Sequence, residues 1–156
     1  MAKNLSPGER APPFRLATDD GGEISTAKLK GKPFVVYFYP RDDTSGCTKE
    51  AISFSEEKQT FDALGVAIVG ISKDDIASHR KFRSRHNLTV MLASDPDTVT
   101  AQAYGAWVEK SMYGRHYMGM ERATFLVDGS GRIKQIWRKV RTTGHVAAVL
   151  EAAREL

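Results

Sequence analysis

The chain has 156 residues, 41% hydrophobic and 27% charged, the size and balance of one globular domain with a substantial core. Its 23 basic and 19 acidic residues leave +4 at pH 7, but their distribution argues against a nucleic-acid surface. The densest stretch, Arg80-Lys81-Phe82-Arg83-Ser84-Arg85, falls in an expected helix whose circumference spreads the cations, and Arg138, Lys139 and Arg141 follow an expected strand as solvated edge or loop positions.

Taken in chain order, Pro12-Pro13 opens an extended stretch over 14–17, and Asp19-Asp20-Gly21-Gly22 turns it back into 23–25, an N-terminal hairpin. Gly31-Lys32-Pro33 punctuates entry into 34–39 (FVVYFY), an apolar, aromatic and β-branched run that predicts a buried strand. A turn over 40–46 follows. From Cys47 the pattern is helical, with Ala51, Phe54, Phe61 and Leu64 at spacings of three and seven. Residues 66–71 (VAIVGI) predict a second buried strand and 74–86 a second helix, on which His79 and His86 lie two turns apart and solvated. A short strand over 90–93 precedes a third helix from Asp95-Pro96-Asp97 through Tyr104, and the aromatic, glycine-containing segment 105–119 reads as a loop. Residues 123–127 form a strand, and Asp128-Gly129-Ser130-Gly131 turns it into another over 132–137. The final helix, 143–156, gathers Val146, Val149, Leu150 and Ala153 on one face, with Thr143 as N-cap. Strands alternating with helices, closed by a hairpin and a helix, predict an α/β fold around a mixed central sheet flanked by helices. One domain over 1–156 is expected, with no repeat, low-complexity tract or linker.

Cys47 is the only cysteine, so no internal disulfide can form. The absence of a secretory h-region in MAKNLSPGERAPPF and of any apolar run long enough to span a bilayer then points to the cytoplasm, with no membrane partner. The thiol follows a core strand and a polar turn and opens a helix, where free backbone N–H groups and the helix dipole favour thiolate over thiol. A packing cysteine would more naturally fall inside a strand or on an apolar helix face.

The segment 40–51 (PRDDTSGCTKEA) resembles the active-site segment of the peroxiredoxins, most closely the Q subgroup, also called bacterioferritin comigratory proteins. Pro40, Thr44 and Cys47 meet that family's motif, and YFYPRDD, CTKEA, MYGRHYMG and GMERATFLVD match it in family order from about Ala11 to the C-terminus. The resemblance implies a thioredoxin-like fold and reduction of hydroperoxides without metal, flavin, haem or other cofactor. It implies that Cys47 attacks the peroxide and becomes a sulfenic acid, that Thr44 contacts thiolate and peroxide, and that Pro40 shields the site. It also implies that Arg122, just before the strand 123–127, supplies the cation.

Two positions depart from the family pattern. Ile52 stands where many members carry a resolving cysteine, and residues 82–84, where others carry it, have none. The resemblance thus implies a one-cysteine cycle with glutathione, glutaredoxin or thioredoxin as external partner. Ser45 replaces a proline common among relatives. A monomer is expected, with a dimer as the alternative. Tyr39, Tyr104, Trp107 and Tyr117 are expected in packing and His116 as a nearby polar group, and no Cys/His spacing suggests zinc. Two competing functions are a thioredoxin-like disulfide exchanger, weakened because Cys47-Thr48-Lys49-Glu50 lacks a second thiol, and a non-enzymatic binding protein on the same fold.

Overall fold

In the computed structural model, which describes residues 4–156, the run after Pro33 becomes an interior strand of a seven-stranded sheet. The strands of that sheet are β1 (Arg15–Thr18), β2 (Glu23–Ser25), β3 (Phe34–Phe38), β4 (Ala67–Ser72), β5 (Met91–Ser94), β8 (Ala123–Val127) and β9 (Ile133–Trp137), in the order β2-β1-β5-β4-β3-β8-β9. The β3–β4 and β4–β5 pairs are parallel and the others antiparallel, so the sheet is mixed as expected. The helices are α1 (Ser45–Glu56), α2 (Lys58–Ala63), α3 (Ile76–His86), α4 (Val99–Ala103) and α5 (His145–Arg154).

Covering both faces of β3 is what makes its sequence apolar without alternation. Phe34, Val36 and Phe38 pack on one face with Phe14, Ile24, Leu29, Tyr104 and Phe125. Val35, Tyr37 and Tyr39 pack on the other with Cys47, Ala51, Phe54, Phe61, Phe82, Val149 and Leu150, drawn from α1, α2, α3 and α5. Each large side chain so buried contributes roughly 1.5–3 kcal/mol, so the β3–α1 junction is anchored strongly on both sides. Tyr37 stacks on Phe54 with ring centroids 4.6 Å apart. Its ring also fills the space above Gly70, its partner across the β3–β4 pair, where a Cβ would lie 2.6 Å from the hydroxyl.

Four expectations need correction. Residues 105–119 are not a loop: β6 (Trp107–Met112) and β7 (Arg115–Met120) form a separate two-stranded sheet. Its two-residue turn, Tyr113-Gly114, has φ of 52° and 79°, the mirror-image turn that suits the twist of a hairpin. The helix expected to run from Cys47 to Leu64 is two helices, because Glu57 leaves helical geometry at φ −95°, ψ 3°. His79 is not solvated; it is 0% exposed. The last helix is capped by Gly144 at φ 73°, not by Thr143.

Candidate active site

The turn that follows β3 delivers Cys47 to the third position of α1. Thr44 is the N-cap residue with extended backbone, but its hydroxyl donates to the Arg41 carbonyl at 3.0 Å and makes no cap bond. The thiol is 1% exposed and packs among the side chains between α1 and the sheet. Cys47 belongs to the first turn of α1, where free N–H groups and the helix dipole favour negative charge.

Arg122 reaches this point from the end of the β6–β7 hairpin, directly before β8. Its Nη2 donates to Cys47 Sγ at 3.2 Å, and its Nη1 donates to Oε1 of Glu50 at 2.8 Å. The planar guanidinium thus spans a thiol and a carboxylate three residues apart on one helix face, which a lysine could not do with fixed geometry. Gly46 makes room for this. A Cβ there would lie 3.0 Å from Nη2, so a side chain would press directly on the guanidinium. Burial works against the charge on Arg122, but the charges of Glu50 and Cys47 outweigh it and raise its pKa.

Glu50 sits beneath the arginine with its side chain 0% exposed. Its Oε2 has no hydrogen-bond partner among the described residues and lies 3.9 Å from Nε2 of His145. Burial pushes this carboxyl up to about 7, Arg122 offsetting only part of the cost. His145, at the start of α5, bonds to Thr124 Oγ1 at 2.7 Å. Burial, with the nearby Arg122 charge, pushes it down to about 4, so its ring is neutral at pH 7. Lys110 of β6 lies within the field of Arg122 and Cys47, and burial first, then Arg122, lowers its pKa.

The structure therefore brings Cys47 and Arg122 together, with Thr44 at the head of the same helix. Pro40 is exposed at the start of the turn, and no hydrogen bond among the described residues ties it to Cys47 or Arg122. His116 is also exposed, pairing with Glu109 at 3.1 Å across the hairpin. Glu50 and His145 were not anticipated from sequence, although each lies on its helix's apolar stripe: Glu50 beside Cys47, Ala51 and Phe54, and His145 one turn before Val149. Among the described residues no group of three or more His, Cys, Asp or Glu is placed to hold a metal, and no helix is long and apolar enough to cross a membrane.

A mixed sheet flanked by helices, with a buried thiol at a helix N-terminus bonded by an arginine, is an arrangement that favours a thiolate, and comparison with known proteins names the family. The AhpC/TSA family model matches residues 7–136, and the chain belongs to that family, within it to the peroxiredoxins of the Q, or bacterioferritin comigratory protein, subgroup. Peroxiredoxin Bcp of Bacillus subtilis is 40% identical over 149 residues, covering 96% of this chain and 95% of its own. A structure of the Xanthomonas campestris bacterioferritin comigratory protein, concerned with its alkyl peroxide reduction activity, superposes with a TM-score of 0.87 at 37% identity, covering 91% of this chain and 90% of that one. A Xylella fastidiosa PrxQ mutant superposes with a TM-score of 0.92 at 28% identity, covering 98% of both chains. These relationships support a thiol-dependent peroxidase.

Proposed function

We propose that this chain, acting as one domain, reduces hydrogen peroxide and organic hydroperoxides at Cys47 and is returned to the thiol by an external thiol. The observation that carries the reading is the Arg122 guanidinium set against both Cys47 Sγ and Glu50 at the first turn of α1.

The Cys47 thiolate attacks the terminal oxygen of ROOH. A sulfur–oxygen bond forms, the O–O bond breaks, and the alkoxide leaves, taking a proton from solvent to become ROH. Sulfur is oxidised to the sulfenic acid. Arg122 and the backbone N–H groups of Gly46 and Cys47 hold the negative charge as it moves from sulfur to oxygen. Thr44 adds a hydroxyl toward the peroxide, and Pro40 shapes the rim of the turn. Glu50 acts through Arg122, fixing the plane of the guanidinium, and His145 closes the buried end of the cluster as a neutral ring.

A first molecule of thiol then attacks the sulfenic sulfur, expelling water and leaving a mixed disulfide. A second thiolate attacks that disulfide and releases Cys47. Glutathione, glutaredoxin and thioredoxin all supply such thiols, and Cys47, being the only cysteine, has no internal partner. The expected form is a cytoplasmic monomer. Alkyl peroxides are substrates by analogy with the Xanthomonas relative. Peroxide consumption by reduced protein with glutathione and glutaredoxin tests the reading; a rate no higher than that of glutathione and glutaredoxin without the protein would reject it.

A further inference from the structure

Cys47 lies beyond the C-terminal end of β3. At the other end, where Phe34 begins the strand, the surface opens into a pocket of about 540 Å³. At roughly 3.3 Å per residue, β3 alone sets the two places about 13 Å apart. The volume falls within the range of small-molecule sites, and neither Cys47 nor any residue bonded to it lines the pocket.

Three segments wall the pocket, and backbone hydrogen bonds fix each of them. Residues 10–13 follow a stretch held to β9: the Gly8 N–H donates to the Ile133 carbonyl at 2.8 Å, and the Ala11 N–H to the Gly131 carbonyl at 2.9 Å. The turn over 26–32 is tied back by the Thr26 N–H, which donates to the Phe14 carbonyl at 3.1 Å, and closed by the Lys32 N–H on the Leu29 carbonyl at 2.9 Å. The β8–β9 turn meets it directly, since a Cβ on Gly129 would lie 3.3 Å from the Gly31 carbonyl. A ligand would therefore meet walls already ordered, which lowers the entropic cost of binding.

The lining combines apolar surface with charge of one sign. Ala11, Leu29 and Phe34 of the core cluster contribute to it, together with the exposed Pro13 and Ala27. Arg10, Lys30 and Lys32 also line it, all exposed, and no Asp or Glu does. Among the described residues none of the three cations makes an ion pair. The acids nearest in sequence are engaged elsewhere: Glu9 accepts from the Ser6 N–H, and Asp128 from the Ser130 hydroxyl and the Arg132 N–H. The other large pocket, of about 640 Å³, shares Lys32 but sets Asp19, Asp20 and Asp62 among its cations, so the chain balances its charge from within. At the β3 end the chain supplies no such balance.

We propose that this pocket binds a small amphiphilic organic anion, its apolar body seated on Leu29 and Phe34 and its carboxylate held by Arg10 and Lys30. The planar fork of Arg10 matches a carboxylate, and Lys30 adds a second positive charge. A neutral amphiphile would leave the cations unanswered, and a bare inorganic anion would gain nothing from the apolar lining. The two features together select the class. The site goes beyond the chemistry at Cys47 and does not depend on it.

Decanoate, the simplest probe of that class, can be titrated into the reduced full chain and followed by amide chemical shifts and calorimetry. It should saturate at one equivalent, with shifts confined to residues 10–13, 26–34 and 129–131. Decanol and decyltrimethylammonium carry the same chain without the negative charge and should bind roughly five- to tenfold more weakly or worse, the worth of two exposed ion pairs. Arg10→Ala combined with Lys30→Ala should weaken decanoate by the same factor. Ala27→Trp fills the pocket from an exposed position and should abolish binding; if that variant does not fold, the double alanine variant decides alone. No saturation below about 1 mM, shifts centred on another surface, or equal affinity for decanol would overturn the proposal. Sedimentation with vesicles of phosphatidylcholine and phosphatidylglycerol, without any response to decanoate, would make the patch a membrane contact and overturn it equally. None of these readouts uses peroxide, so a chain inert to peroxide would reject the proposed function and leave this site to be judged by decanoate alone.

Discussion

Replacing Glu50 with glutamine should stabilise the protein at alkaline pH and leave its stability unchanged in acid. The wild-type carboxyl titrates near 4.5 when unfolded and is pushed up to about 7 by burial in the fold. A carboxyl with a raised folded pKa binds its proton more tightly in the native state. Its contribution to stability is therefore fully present below about 4.5 and is lost as pH rises through about 7. The interval from 4.5 to 7, at about 1.36 kcal/mol per pH unit, amounts to about 3 kcal/mol by pH 8. Glutamine copies the protonated group: its oxygen can still accept from Arg122, and it carries no charge to keep buried. His145 has the opposite acid-side dependence, but it is present in both proteins and cancels in the difference to first order. Urea unfolding of the two reduced proteins from pH 4 to 8.5 provides the assay. With a urea dependence of about 2 kcal/mol per molar, the variant's midpoint should lie about 1.5 M higher at pH 8, and the curves should converge by about pH 4. A pH-independent difference, or a variant less stable at pH 8, would refute the reasoning. It would mean that Arg122 compensates Glu50 in full and has correspondingly less field to offer Cys47.

Arg122→Lys should slow the oxidation of Cys47 by roughly 10- to 100-fold in stopped-flow measurements, since an ammonium cannot hold Sγ and Oε1 in one plane; a wild-type rate would show that a point charge suffices. Gly46→Ala should separate stability from activity. Alanine is the better helix former by up to about 1 kcal/mol, so the Tm should hold or rise. Its Cβ would meet Arg122 Nη2 at 3.0 Å, and displacement of that flexible end should slow oxidation by peroxide roughly tenfold. An unaffected rate would show that the guanidinium keeps its place by another route.

The sheet was legible because β3, β4 and β8 are short apolar runs bounded by turn residues, and the setting of Cys47 because a polar turn separates it from β3. The 105–119 hairpin was not legible. Its turn is Tyr-Gly rather than Asn-Gly, and most of its residues face solvent, Tyr113 at 98%, so hydrophobic alternation is missing. Arg122 stood out only through the family resemblance, because one arginine before a strand carries no local signal. The buried polar groups were missed because polar residues are read as exposed by default. Yet His79 stands three residues before Phe82 and seven before His86, on the stripe that α3 turns inward, and Glu50 occupies the same kind of position on α1. A polar residue inside an apolar stripe is the signal that would have found both, as partners for Asp42 and Arg122, neither of which neighbours them in sequence.

The central claim is that Cys47 is the atom oxidised by peroxide and that no second thiol of the chain resolves it. Intact mass spectrometry of reduced protein after one equivalent of hydrogen peroxide, with dimedone present and again with glutathione present, tests both halves together. The account predicts a single dimedone adduct mapping to Cys47, a single glutathione mixed disulfide in the parallel sample, and neither product in Cys47→Ser. An unmodified wild-type mass with peroxide left unconsumed, or a Cys47–Cys47 linked dimer as the main product, would contradict it.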